Sequence, residues 1–100
     1  MIIIKDQDGK ALGEADAPTL KEAVEELASS EDNLAGADLA AANLTGANLT
    51  GADLAGADLA GADLTWAKLA RDNLYCASLS GAGLPGSDLS CASLTFSFIR

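Results

Sequence analysis

Residues 52–64 read Ala52-Asp53-Leu54-Ala55-Gly56-Ala57-Asp58-Leu59-Ala60-Gly61-Ala62-Asp63-Leu64, a run that returns to the same residue types every five positions. The beat extends in both directions. Leucine stands at every fifth place from Leu34 to Leu94, followed by Ile99, and alanine keeps the same phase two places ahead from Ala37 to Ala92 with few breaks. An α-helix repeats near 3.6 residues and a strand at 2.0, so a strict period of five would wander around the one and alternate faces of the other. A third geometry is required, in which each leucine returns to one interior after a turn. Gly36, Gly46, Gly51, Gly56, Gly61, Gly81 and Gly86 share one phase and suit such turns.

The repeat Ala52-Asp53-Leu54-Ala55-Gly56, one of fourteen consecutive matches, resembles the pentapeptide repeat family, over about two-thirds of the chain. The resemblance implies an all-β solenoid, a right-handed quadrilateral β-helix with four pentapeptides per coil. It also implies that the leucine and the preceding alanine point inward and the other three positions outward. Residues 33–100 would then make three to four coils, stacked at roughly 4.8 Å into a rod about 16 Å long. Each coil in a solenoid buries its apolar side only against its neighbours. The Asp or Asn before each leucine is expected to hydrogen-bond nearby backbone at the turns.

The first thirty residues have a different character. Met1-Ile2-Ile3-Ile4-Lys5-Asp6 suits a strand, Asp8-Gly9 a tight turn, and Lys10-Ala11-Leu12-Gly13-Glu14 a return strand. Thr19 and Glu22 form a capping box before Leu20, Ala23, Val24, Leu27 and Ala28, whose spacing predicts an amphipathic helix ending near Ser29-Ser30. A short hairpin and a ten-residue helix are marginal alone, so residues 1–32 are read as a cap on the solenoid of residues 33–100, the whole packing as one structural domain. An uncovered end coil would leave unpaired strand edges. At the C-terminal end Phe96 and Phe98 arrive where no earlier repeat holds phenylalanine. They are expected either to fold over the last coil or to join two copies as a homodimer.

Charge bears on function. The chain of 100 residues carries a net charge of −9. Residues 1–32 hold nine acids and three lysines, and residues 33–100 six acids and three bases, so most of the negative charge lies off the rod. Some members of the family resemble duplex DNA and inhibit type II topoisomerases. DNA carries about one charge per 1.7 Å, and a rod of about 16 Å with a net charge of −3 matches it poorly. Asp53, Asp58 and Asp63 fall on successive sides, and Lys68 and Arg71 interrupt the potential. The DNA-mimic inhibitor is therefore the alternative reading, and direct nucleic-acid binding is not expected.

Catalytic parts are missing from the sequence. It has no histidine, no glycine-rich phosphate loop and no nucleophile elbow, so no enzyme, cofactor or metal site is expected. Cys76 and Cys91 are read as reduced thiols of a cytoplasmic protein, and no apolar run is long enough for a membrane. Departures from the repeat carry the individuality. Trp66 replaces a corner glycine and is expected to lie across Gly46 and Gly86 of its column. Asp72 occupies an inward alanine position, where it predicts a local distortion of the coil over 71–73. Ser87 and Ser97 replace inward alanines and require a backbone acceptor. The function expected is a non-enzymatic scaffold for contact with an unidentified protein, and the candidate interaction surface is Trp66, Arg71, Tyr75, Phe96 and Phe98.

Overall fold

The computed structural model describes residues 1–29, 34–90 and 92–94, and the backbone of 98–99. Strands β1 (Ile2–Lys5) and β2 (Ala11–Ala15) pair antiparallel, with Ile2 opposite Ala15 and an irregularity between Ile4 and Lys5. The turn forms where Asp8-Gly9 predicted it. Asp6 Oδ1 accepts the N–H groups of Asp8 at 2.9 Å and Lys10 at 2.8 Å, and Gly9 takes a φ of 87°. Helix α1 (Leu20–Ser29) begins at Thr19, whose Oγ1 accepts Glu22 N–H at 3.2 Å. The helix buries Ala23, Val24 and Leu27. Leu27 lies against Gly13 of β2 so closely that a β-carbon there would sit 3.1 Å from it.

From Leu34 onward the chain coils with a repeat of twenty residues. Parallel bridges join Asp38 to Asp58, Asn43 to Asp63, Asn48 to Lys68 and Asp53 to Asn73, and continue to Asn73 and Ser93. The two-residue strands β3 (Ser78–Leu79) and β4 (Phe98–Ile99) pair parallel at the same offset. From Leu39 to Leu74 each leucine donates its N–H to a carbonyl one coil away, as in Leu39 to Asp58 and Leu59 to Ser78, both at 2.8 Å. The leucine's own carbonyl accepts the alanine N–H three residues later, closing a β-turn. The third residue of each turn needs a positive φ, which is the steric reason for glycine at that phase. Ala41, Trp66, Arg71 and Cys76 occupy the same place at φ of 59–61°.

Inside the coil the side chains form stacked ladders. Leu34 through Leu79 are at most 2% exposed, and Ile4, Val24 and Leu27 extend the same core into the cap. Filling one column with a single side-chain type lets successive coils stack without a void. Ala82, Leu84, Leu89, Ala92 and Leu94 are only half-buried. Ser87 Oγ donates to Leu84 O at 2.8 Å, so its hydroxyl finds the backbone acceptor it requires. Ser97 and Cys91 lie outside the described residues.

The hairpin and helix supply the first coil with partners that a preceding coil would otherwise provide. Lys5 O accepts Asp38 N–H at 2.8 Å, and Gln7 N–H reaches Gly36 O at 3.2 Å. The Gln7 side-chain amide donates to Gly56 O at 2.7 Å, tying the hairpin to the coil beneath. From the helix, Glu25 Oε2 accepts Asn48 N–H at 2.8 Å and stands in for a carbonyl of an earlier rung.

At Asp72 the expected distortion does not occur. The side chain is 1% exposed, in the alanine column, while the ladder around it stays regular: Arg71 N–H to Ser90 O at 2.8 Å and Asn73 N–H to Ala52 O at 3.0 Å. Asp72 Oδ1 accepts Ala52 N–H at 2.9 Å, whereas Oδ2 has no hydrogen-bond partner. Burial pushes its carboxyl up to about 7, against the lowering effect of the Ala52 and Gly51 N–H groups. Protonation removes the cost of a buried charge, so the coil does not have to break its ladder to expose the group.

Two outcomes follow for stability. The folded-state value of Asp72 lies above its ordinary 3.8, so between about pH 4 and 7 the folded chain holds a proton that the unfolded chain has released. Stability from this group therefore falls as pH rises through that window. Asp72→Ala is expected to raise the thermal midpoint at pH 8 by several degrees, an effect on the order of 2 kcal/mol, and to lose most of the gain near pH 4. Thermal melts of both proteins across pH 4–8 check this. Glu25→Ala is expected to cost about 1 kcal/mol by leaving Asn48 N–H without its acceptor, measured as a lower denaturant midpoint at unchanged slope.

Candidate interaction surface

The outward carboxylates belong first to the turns. Asp53 Oδ1 accepts Ala55 N–H at 3.1 Å, Asp58 accepts Ala60 at 3.0 Å, Asp63 accepts Thr65 at 3.0 Å and Asp88 accepts Ser90 at 2.9 Å. Asn43, Asn48 and Asn73 bond the residue two places on in the same way, so amide and carboxylate are interchangeable there. The Thr65 hydroxyl holds the Asp63 carboxyl below its ordinary value, and Ser90 does the same for Asp88, with a smaller contribution from Lys68. Asp53, Asp58 and Asp63 stand in three different columns, bridged to Asn73, Ser78 and Gly83. They form no strip of acid along one side. With Asp72 buried, the outer surface carries less negative charge than the count of acids suggests.

Trp66 lies at a corner with φ 61° and is 70% exposed. Its ring covers Gly86 one coil further on, where a β-carbon would meet ring carbons at 2.6–2.8 Å. It does not cover Gly46, the other glycine of its column, where a β-carbon would meet only Lys21 Nζ, at 4.0 Å. The sequence expected the ring to span both. The indole reaches one coil spacing in one direction, and the bare Gly86 backbone provides a flat platform on that side.

Arg71 is the next corner, also at φ 61°, so Trp66 and Arg71 bound one side of the coil, with Lys68 between them. All three are exposed. Tyr75, 45% exposed, precedes the corner at Cys76 and so lies beyond Arg71, on the next side. Phe98 pairs through its backbone with Ser78, past that corner, and Phe96 lies outside the described residues. The expected surface is thus divided: Trp66 and Arg71 stand at the two ends of one side with Lys68 between them, and Tyr75 stands on the next. For Lys68, its position in the outward second place of the repeat, where Asp or Asn otherwise stands, was the available signal.

Nothing in the described residues assembles a reaction centre. A shallow groove between the start of α1 and the first coil is lined by Thr19, Leu20, Lys21, Ala41, Asn43 and Thr45, without a nucleophile and base in contact. No cluster of three or more Cys, Asp or Glu suited to a metal is present among the described residues. Cys76 is an exposed free thiol. No helix among the described residues is long and apolar enough to cross a membrane.

A twenty-residue coil, a positive-φ corner every fifth residue and inward leucine ladders together define a four-sided β-solenoid. Comparison with known proteins agrees: residues 33–70 match the family model for pentapeptide repeats, in eight copies. The chain belongs to the pentapeptide repeat family, whose fold is the right-handed quadrilateral β-helix. Among solved structures it is similar to the pentapeptide repeat protein Rfr23 from the cyanobacterium Cyanothece 51142, at 34% identity and a TM-score of 0.61, covering 63% of this chain and 44% of that one. It also matches HetL, a pentapeptide repeat protein involved in heterocyst differentiation regulation from the cyanobacterium Nostoc sp. strain PCC 7120. That match has 38% identity and a TM-score of 0.46, over 68% of this chain and 36% of HetL. A third match is a pentapeptide repeat protein of the Arabidopsis thaliana thylakoid lumen, at 28% identity and a TM-score of 0.35, over 69% of this chain and 59% of that one. The chain thus spans less than two-thirds of each. No curated protein matches it significantly.

Gly86→Ala tests the seat of the indole. The added methyl meets both a positive φ of 69° and the Trp66 ring, so the ring must swing away. A loss of about 1–2 kcal/mol is expected, with a red shift of Trp66 emission. Placing the same change in a Trp66→Gly background should recover part of the loss in a double-mutant cycle.

Proposed function

We propose that this protein is a non-enzymatic scaffold, a cytoplasmic solenoid of between three and four coils that presents a rigid surface to a protein partner. The observation that carries this reading is Trp66, a large aromatic held 70% exposed at a corner of the coil. Tryptophan and arginine are over-represented among residues that dominate binding energies. A core filled with leucine and alanine favours outward recognition over the enclosure of a small molecule.

Self-association through the C-terminal coil is part of the proposal, supported by the half-exposed Leu84, Leu89 and Leu94. Imitation of duplex DNA toward a type II topoisomerase is the weaker reading. Its carboxylates are spread over several columns and engaged in turns, and one of them is buried. Light scattering on a gel-filtration peak at tens of micromolar is expected to show a dimer, and a monomer removes the self-association. A gyrase supercoiling assay at the same concentration is expected to proceed unchanged. Inhibition there would replace the scaffold reading with the mimic.

A further inference from the structure

Resting on the scaffold reading, we propose that the coil side from Trp66 to Arg71 binds a short acidic peptide segment of a partner protein. An apolar side chain of that segment lies on the Trp66 ring and a carboxylate lies between Lys68 and Arg71. The first observation is conformational. Trp66 and Arg71 hold corners at φ 61° that glycine would occupy without strain, as Gly46, Gly86 and Gly51 do in the same columns. A bulky residue in the left-handed region costs roughly 1–2 kcal/mol, so neither serves the coil better than glycine would. Strain of this kind collects at sites kept for binding.

Rigidity is the second observation. The Trp66 ring rests on Gly86, which leaves its outer face presented before any partner arrives. An anchor already in place loses little side-chain entropy on binding. Charge is the third. Lys68 and Arg71 are the cations of the described solenoid, and both are exposed. Asp88 stands one coil below Lys68, and its carboxyl is bonded to the Ser90 N–H.

The flanks set the size and nature of the occupant. Asn48, capped by Glu25, stands above Lys68, and Asp88 stands below it, so positive potential is confined to a single rung. Each repeat folds a β-turn, so the face is shorter than five extended residues and suits a segment of a few residues crossing it along the coil. A polyanion would meet Glu25, Asp88 and the overall charge of −9, which disfavours nucleic acid. A segment with one or two carboxylates beside an aromatic or leucine fits both the charge and the indole. Exposed cations make the contact sensitive to salt.

Selection of random short peptides displayed on phage tests this, with wild-type protein as bait and the Lys68→Glu/Arg71→Glu variant as comparison. Trp66 is the sole tryptophan of the chain, so its emission reports on the face directly. The expected result is enrichment of peptides carrying Asp or Glu next to an apolar residue. Their binding should shift the emission to the blue, weaken with added salt and fall at least tenfold in the charge-reversed protein. Arg71→Gly, which relaxes its corner, gives a second variant that keeps the fold and should also bind more weakly. Selected peptides that bind all three proteins equally would overturn this face while leaving the scaffold reading intact. Peptides without acidic bias would also overturn it, as would a duplex oligonucleotide binding in their place. No enrichment at all would remove both readings.

Discussion

The constraint on which this structure depends is the hydrogen-bonded offset of twenty residues between neighbouring coils. From Leu39 to Leu74 every leucine N–H is committed to a carbonyl one coil away, as are the N–H groups of Asp58, Asp63, Asn73 and Asp88, so the chain must return to the same column after four turns. A return in so few residues forces one position in five into positive φ. The interior left by that path is narrow, and only a ladder of leucine beside a ladder of alanine fills it. Turn chemistry, packing and backbone pairing are thus consequences of one closure condition. The cap obeys it as well: Lys5 O and Glu25 Oε2 occupy the places where carbonyls of an earlier rung would stand.

That regularity explains how the protein absorbs its exceptions. Asp72 shows the balance most directly. Breaking several ladder hydrogen bonds to expose one carboxyl would cost more than keeping the carboxyl protonated, so the coil stays regular and the ionisation equilibrium moves instead. At Trp66, Arg71 and Cys76 the exception is conformational, and the neighbouring rungs hold each corner in place. The repeat tolerates individuality on its outside, where a substitution meets solvent, and inside it accepts a polar group that finds a backbone partner, as Ser87 does, or one whose ionisation shifts, as at Asp72.

Much of this was legible in the sequence because the period of five is incompatible with any other regular path. The hairpin and helix were legible through Asp8-Gly9 and through Thr19 with Glu22, both of which act within four residues of themselves. The observed strand β2 is displaced by one residue from the expected one, since the Asp6 carboxylate holds the turn through Lys10. Glu25 escaped notice because a helical glutamate reads as solvated surface until the rung beneath it is known. The direction in which the Trp66 ring leans was likewise invisible, since Gly46 and Gly86 are equivalent by spacing alone.

The coil, its turns and its leucine and alanine ladders follow from the spacing of residue types, because each rests on local sterics repeated at a fixed interval. Folding in three dimensions settles the rest: that the Trp66 ring leans onto Gly86, that Glu25 closes the Asn48 rung, and that Asp72 remains buried with the Ala52 N–H on its carboxyl. Those outcomes depend on contacts between residues twenty or more positions apart. The period brings such residues into register, but their individual side chains settle how they meet.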